Sequence, residues 1–288
     1  MQDKSNEDKK LLMKMINNYF NYNDNIIPMY PWSNENLDEL FKHIDVKDKK
    51  VLSVMASADQ PLLCHLNGAS RVDTFDRNYC TLYYFYLRKW IIENTSKRTL
   101  ERFDEKFIKR VLQLAEPKND IEKSSLIFWK MLYNSNFRES NYDLNSKIFD
   151  IPLRKNDYLL PYAKRIKEEI GDINFNFYNI DIFKNIDINE EYDVIILSNI
   201  LECAESVEQL KNARRNIIKL LKNDGVAVCS YKKNRMRSKK HRCEKDILST
   251  KYYSHYLKPE EFLVKTQDEY GVNDLGYQYR KCKVGGYR

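Results

Sequence analysis

Val51-Leu52-Ser53-Val54-Met55-Ala56-Ser57-Ala58-Asp59-Gln60, followed shortly by Gly68-Ala69-Ser70-Arg71-Val72-Asp73-Thr74-Phe75-Asp76-Arg77-Asn78, is the most informative part of the chain. Lys50 to Met55 and Ser70 to Phe75 are short apolar runs suited to buried strands. Between them, Asp59 is placed to cap a helix, Pro61 falls in its first turn, and Gly68 stands where a C-terminal cap belongs. A short helical connection makes the two strands parallel neighbours. The unit reads as strand, tight turn, helix and a second strand ending in an acid, the opening of an α/β domain of the nucleotide-binding kind. The glycines usual in such a turn are absent, and Met, Ala, Ser and Asp stand in their places.

The pattern continues in both directions. Ser5 to Tyr22 carries Leu11, Leu12, Met15, Ile16, Tyr19 and Phe20 at helical spacing, and Ser33 is placed to cap a short helix with Leu37, Leu40 and Phe41. The intervening Ile26 to Ser33 holds two prolines and reads as extended or turn-like. Asn78 to Glu93 is a long apolar helix, and 97–150 stays helical and charged without a strand, as an insertion would. A helix over Asp157 to Ile170 precedes a third strand, Asn174 to Ile180, ending at Asp181. Tyr192 to Leu197 is apolar along nearly its whole length and belongs at the centre of a parallel sheet. Val207 to Leu221 reads as a helix, Asn223-Asp224-Gly225 as a turn and Val226 to Ser230 as a fifth strand. Phe262 to Thr266 and Tyr277 to Val284 would close the sheet as an antiparallel pair. The expectation is a doubly wound, mostly parallel seven-stranded α/β sheet. It forms one elaborated domain over 1–288, with a helical N-terminal extension at 1–48 and a helical insertion at 97–150.

Composition narrows the class. At 288 residues the chain can bury one substantial core. No apolar run approaches the roughly 20 residues needed to cross a bilayer, and the charged N-terminus lacks the apolar stretch of a signal peptide, so a cytoplasmic protein is expected. Six cysteines and four histidines are scattered without C-x-x-C or H-x-x-x-H spacing, which indicates reduced thiols and no bound metal. The formal charge of +7 is concentrated in Lys232 to Arg242, where Lys232, Lys233, Arg235, Arg237, Lys239, Lys240 and Arg242 stand without an acid among them. Such a run attracts a phosphate-bearing acceptor, an anionic membrane surface or an RNA backbone, and it also suits a solvated loop.

Ligands of such sheets bind beyond the carboxyl ends of the strands where the strand order reverses. That selects Ala56, Ser57, Asp59 and Gln60 in the first turn, Asp76, Arg77 and Asn78 after the second strand, Asp181 and Ile182 after the third, and Ser198 and Asn199 after the fourth. Asp76, about 20 residues beyond the first strand, suits the vicinal hydroxyls of a ribose, and it also suits a helix cap. Asp181 suits the exocyclic amine of an adenine, with the Ile182 N–H on a ring nitrogen, and it equally suits an ordinary turn. Without G-x-G-x-x-G or a phosphate-binding loop, a dinucleotide or triphosphate is disfavoured. An adenosine cofactor without phosphates, S-adenosyl-L-methionine (AdoMet), fits best, with Asp59 able to pair with the ammonium of its amino-acid end.

Val51 to Gln60 with Val72 to Asn78, the helix Tyr79 to Ile92 and Val194-Ile195-Ile196-Leu197-Ser198-Asn199-Ile200 together resemble the class I AdoMet-dependent transferase fold. With Tyr30-Pro31-Trp32-Ser33-Asn34-Glu35-Asn36, they resemble more narrowly the betaine-lipid 3-amino-3-carboxypropyltransferase group and its short bacterial relatives. The resemblance implies transfer of an aminocarboxypropyl or methyl group from AdoMet to an unidentified acceptor. A catalytically degenerate binding or regulatory protein is the other reading, favoured by the missing glycines. Asn199, Glu202 and Tyr79 are candidates for the neighbourhood of the transferred group, against ordinary roles as a loop amide, a helix-start acid and a packed aromatic.

Overall fold

The structure, a computed structural model, describes Ser33, Glu35 and residues 37–94, 105–134, 162–232, 257–264 and 274–281. The expected helix Ser5 to Tyr22, the proline-containing stretch 26–32, much of the 97–150 insertion and residues 233–242 of the basic run lie outside the described residues. Chain contacts gather the molecule into two compact units, Met1–Trp32 with Asn78–Ile173 and Ser33–Arg77 with Asn174–Arg288.

The second unit contains the sheet. Its elements are α1 (Leu37–His43), β1 (Lys50–Val54), α2 (Asp59–Leu66) and β2 (Arg71–Asp76); the first unit contributes α3 (Cys80–Asn94), α4 (Glu105–Leu114), α5 (Asp120–Asn134) and α6 (Ala163–Glu169). The sheet resumes with β3 (Asn176–Asn179), β4 (Tyr192–Ser198), a 3-10 turn (Ile200–Cys203), α7 (Val207–Leu220), β5 (Leu221–Lys232), β6 (Leu257–Val264) and β7 (Asp274–Lys281). The strand order is β3-β2-β1-β4-β5-β7-β6. β1 to β5 form the parallel body, and β6 and β7 add an antiparallel pair at one edge. The order turns back between β1 and β4, and ligands of such sheets bind beyond the carboxyl ends of the strands at that point.

The core follows from the apolar runs. Leu52, Phe75, Ile195, Leu197 and Ala227 are fully buried on the sheet and pack with Ile217, Leu220 and Leu221 around α7. Ser206 caps α7, its side chain accepting the Gln209 N–H. Several boundaries differ from those read in the sequence. β5 begins at Leu221 and runs through Asn223-Asp224-Gly225, which was expected as a turn. Pairing with β4 is irregular there, shifting register between Tyr192 and Val194. A Cβ on Gly225 would lie 2.9 Å from the Lys222 carbonyl oxygen and 3.1 Å from that of Tyr192, so the absence of a side chain lets the strand pass. β6 and β7 both start earlier than their apolar content suggests, because their mutual register, Leu257 against Lys281 through Val264 against Asp274, sets the ends.

The amino-terminal ends of the strands carry a polar clamp. Buried Asp73 accepts from Arg71 Nε at 2.9 Å and from the Tyr192 hydroxyl at 2.8 Å, joining β2 to β4 across β1. Burial, with the hydrogen bonds to Tyr178 and Asp73, raises the Tyr192 phenol far above the ordinary tyrosine range. Lys50 pairs with Glu190 and lies over the Tyr192 ring, 4.7 Å from its centroid.

In the first unit, α3 and α5 pack through aromatic contacts. Ser125 Oγ and Trp129 Nε1 both donate to the Tyr83 carbonyl, at 2.8 and 3.0 Å, while Tyr83 and Phe128 stand 5.2 Å apart.

The turn between β1 and α2 is the most distorted part of the sheet unit. Ala56 (φ 41°) and Ala58 (φ 67°) both adopt the left-handed conformation, so the alanines stand where glycine would be unstrained. Asp59 was expected as the cap of α2, but Ala58 holds that position and Asp59 begins the helix. At the other end of α2, Gly68 occupies the expected left-handed position, with φ 86°.

Two stability tests follow. Tyr192→Phe removes the phenol from Asp73 and should cost about 1–2 kcal/mol in urea unfolding. Ala58→Gly relieves a left-handed alanine and should raise stability by about 1 kcal/mol, whereas a loss would show that the turn is not strained as its backbone indicates.

Candidate functional site

The strained turn is held from three sides. Asp59, 1% exposed, accepts from Ser57 Oγ at 2.8 Å and from the Ser33 N–H at 2.6 Å. The Ala58 N–H donates to the Met55 carbonyl at 2.6 Å, closing the turn on β1. The Ala56 N–H donates to Asp76 Oδ2 at 3.1 Å, tying the turn to the acid at the end of β2. Asn179 at the end of β3 extends this line, its Nδ2 donating to the Asp76 and Arg77 carbonyls.

A second cluster lies at the start of α2 and the end of β4. Gln60, 1% exposed, donates through Nε2 to Glu35 Oε2 at 2.8 Å and more weakly to Ser33 Oγ at 3.4 Å. Ser198, left-handed with φ 53°, donates its hydroxyl to the same Glu35 oxygen at 2.7 Å. Glu35 itself is only 4% exposed. Among the described residues, the buried Gln60 Oε1 has no hydrogen-bond partner.

These contacts bring together Ala56, Ser57, Asp59, Gln60, Asp76 and Ser198. Arg77 follows as an exposed residue. Asp181 is half-buried and accepts the Phe183 N–H at 3.0 Å, the geometry of an ordinary Asx turn. The Ile182 side chain belongs to the core, and its carbonyl accepts from Asn216. Asn199 precedes the 3-10 turn, half-buried, and Glu202 lies within that turn. Asn78 and Tyr79 belong to the other unit. There, Asn78 Oδ1 accepts the Cys80 N–H at the start of α3, and Tyr79 packs edge-on against Tyr83 with ring centroids 5.2 Å apart. Burial raises the Tyr79 phenol and pushes that of Tyr83 up to about 12. Neither tyrosine is therefore poised as a base near neutral pH.

The sequence reading passed over Glu35 as a site residue. Its only signal there is an acid just after the Pro31-Trp32-Ser33 stretch, and its partners lie 25 and 163 residues away. The side chains in these contacts are the carboxylates of Glu35, Asp59 and Asp76, the Gln60 amide and the Ser33, Ser57 and Ser198 hydroxyls, with no cationic side chain in the bonds named. Such a lining favours groups rich in donors or positive charge and opposes a phosphate. Among the described residues, no group of three or more His, Cys, Asp or Glu is arranged to hold a metal ion, and no helix is long and apolar enough to cross a membrane.

Residues 158–245, which include α6, β3, β4, α7 and β5, match the family described as Nodulation protein S (NodS). No curated protein sequence matches the chain. Among solved structures, the N-methyltransferase NodS from Bradyrhizobium japonicum WM9 is 14% identical over 86% of this chain and 92% of that one, with a TM-score of 0.41. The same protein in complex with S-adenosyl-l-homocysteine is 11% identical over 94% and 98%, with a TM-score of 0.44. A TehB-like SAM-dependent methyltransferase from Corynebacterium glutamicum ATCC 13032 Kitasato is 11% identical over 96% and 99%, with a TM-score of 0.41.

Proposed function

We propose that this chain is an AdoMet-dependent methyltransferase. The observation that carries the reading is the bond from the Ala56 N–H to the Asp76 carboxylate. It sets an acid beside a tight, glycine-free turn at the carboxyl ends of β1 and β2. An acid so placed suits the two hydroxyls of a ribose, and the acidic lining suits a cationic cofactor without phosphates. The match of residues 158–245 to the NodS family, whose Bradyrhizobium member is described as an N-methyltransferase, supports methyl transfer. It lends nothing to the aminocarboxypropyl transfer implied by the resemblance to the betaine-lipid enzymes.

In this reading Asp76 accepts from the ribose, Arg77 and Asn78 are further cofactor-binding candidates, and Asp181 with the Ile182 N–H faces the adenine. Ala56, Ser57, Asp59 and Gln60 shape the wall beside the amino-acid end, and Ser198 and Asn199 close the crevice at β4. When bound, AdoMet supplies an electrophilic methyl on a sulfonium. Because the sulfonium is a good leaving group, the chain's own task is mainly to align an acceptor and exclude water. Asn199 and Glu202, following β4, are proposed to meet the acceptor, and Tyr79 is proposed for the same role. The cations of Lys232 to Arg242 begin at the last residue of β5, which supports an anionic or phosphate-bearing acceptor and peripheral contact with membrane or RNA.

Calorimetric titration with AdoMet and S-adenosylhomocysteine tests the reading. Both should bind, and Asp76→Ala should weaken them about tenfold or more through the lost ribose contacts. Absence of binding by the unaltered protein would reject it. Mass spectrometry of AdoMet incubated with the protein and cell extract should find S-adenosylhomocysteine as the product. Methylthioadenosine would instead indicate aminocarboxypropyl transfer, and binding without turnover would indicate the degenerate binding module.

A further inference from the structure

The helical unit holds a cleft that shares no residue with the candidate cofactor site. It lies between the second half of α3, α5 and the loop joining α4 to α5, and its empty space up to the mouth is about 370 Å³. Leu87, Trp90, Leu126 and Trp129 give it an apolar lining, and the Trp129 indole N–H is already engaged by the Tyr83 carbonyl. Lys89, Glu93 and Glu122 supply its charged groups. Glu93 receives Lys118 Nζ on both carboxylate oxygens, at 2.9 and 3.0 Å, and Glu122 accepts the Lys118 N–H at 2.7 Å. Lys89 differs from these acids. It is only 3% exposed, and among the described residues its ammonium donates to the Ile173 carbonyl alone, at 3.1 Å, and forms no direct ion pair.

An ammonium has three donors, so that single carbonyl leaves two for whatever enters the cleft. Burial lowers the Lys89 ammonium below the ordinary lysine value, while Glu122 and Glu93 act through space in the opposite sense. These acids balance its charge from a distance, and what the buried group lacks is a hydrogen-bond acceptor. A ligand carboxylate placed on Lys89 would also stand in the field of Glu122, and a ligand cation would be repelled by Lys89 itself. A neutral carbonyl meets neither repulsion, and its oxygen accepts from N–H donors with two lone pairs. The indoles of Trp90 and Trp129 suit a flat ring, in offset or edge-on contact. Mostly apolar walls with a few fixed polar groups are the usual form of a small-molecule site.

We infer that this cleft binds a small neutral aromatic molecule bearing a carbonyl group, with Lys89 donating to the carbonyl oxygen. The inference stands apart from the AdoMet reading, since no part of it involves the cofactor. Benzamide is the probe, with benzoate as its anionic counterpart and ethylbenzene as a ring without an acceptor. Titration followed by the proton–nitrogen NMR signals of the three tryptophan indoles, identified through Trp32→Phe and Trp90→Phe, should move those of Trp90 and Trp129. Benzamide should bind with a dissociation constant of about 1 mM or tighter, a range open to a ligand of that size. Benzoate and ethylbenzene should bind at least fivefold more weakly. Lys89→Met keeps an unbranched side chain and removes the ammonium. It should weaken benzamide at least fivefold and ethylbenzene not at all. Leu126→Trp, which fills the cleft and leaves Lys89 in place, should abolish binding of both. Benzamide bound equally by the unaltered protein and by Lys89→Met would overturn the inference, as would benzoate bound as tightly as benzamide. So would an absence of binding, which would leave water as the partner of the ammonium, and so would binding that moves neither indole signal.

Discussion

The chain must leave β1 and enter α2 through a turn with two left-handed residues and no glycine, and the rest of the site depends on how that turn is held. A left-handed L-residue costs roughly 1–2 kcal/mol, so Ala56 and Ala58 persist only because their neighbours fix them. The Asp76 carboxylate takes the Ala56 N–H, and Asp59 gathers Ser57 and Ser33. Two of these bonds reach other elements, β2 through Asp76 and the segment before α1 through Ser33, while the Ser57 bond closes the turn on itself. The turn is thus the place where the sheet and the segment preceding it are fastened together.

The two ends of the sheet solve different problems. At the amino-terminal ends, Asp73, Arg71, Tyr192, Lys50 and Glu190 pair acids with bases and a phenol, and the polar groups satisfy one another. This end holds the parallel strands in register. At the carboxyl ends, the positive φ values of Ala56, Ala58 and Ser198 gather, with Glu35, Asp59 and Asp76 close by in the bonding network. Left-handed residues occur at the other end too, at Asp48 and Asp224, so what distinguishes the carboxyl ends is that Ala56, Ala58 and Ser198 are themselves tied into or beside the hydrogen-bond network of these acids.

How much of this could be read from the sequence depends on the range of each interaction. β1 and β4 were legible because their burial is written into nearly consecutive apolar residues, and β2, which buries Asp73 and Thr74 with Val72 and Phe75, from its place just after Gly68. Asp76 was legible because its position relative to β1 is local to one strand-helix-strand unit. Gly68 was legible for the same reason. The continuation of β5 across Asn223-Asp224-Gly225 was not, since it depends on a close approach to the Tyr192 carbonyl that only the folded sheet creates. The exchange of roles between Ala58 and Asp59 was hidden because the Asp59 carboxylate is drawn off by Ser33, 26 residues away. Glu35 was the least visible, for its contact with Ser198 spans 163 residues and leaves no periodic trace.

The missing glycines take on a different meaning once the turn is seen. A glycine turn lets the backbone approach a pyrophosphate closely and tolerates several conformations. Alanine at the same left-handed positions costs stability but excludes the regions of φ,ψ space open to glycine alone, so the folded turn has fewer states to choose among. A ligand without phosphates does not need the backbone as its main partner and can be met by side chains instead. In the AdoMet reading proposed above, Asp76 is such a side chain, tied to the Ala56 N–H, while Asp59 holds the turn through Ser57 and Ser33. In that sense the alanines and the acids belong to one arrangement: the first gives up the backbone cradle for phosphate, and the second supplies a lining suited to positive charge.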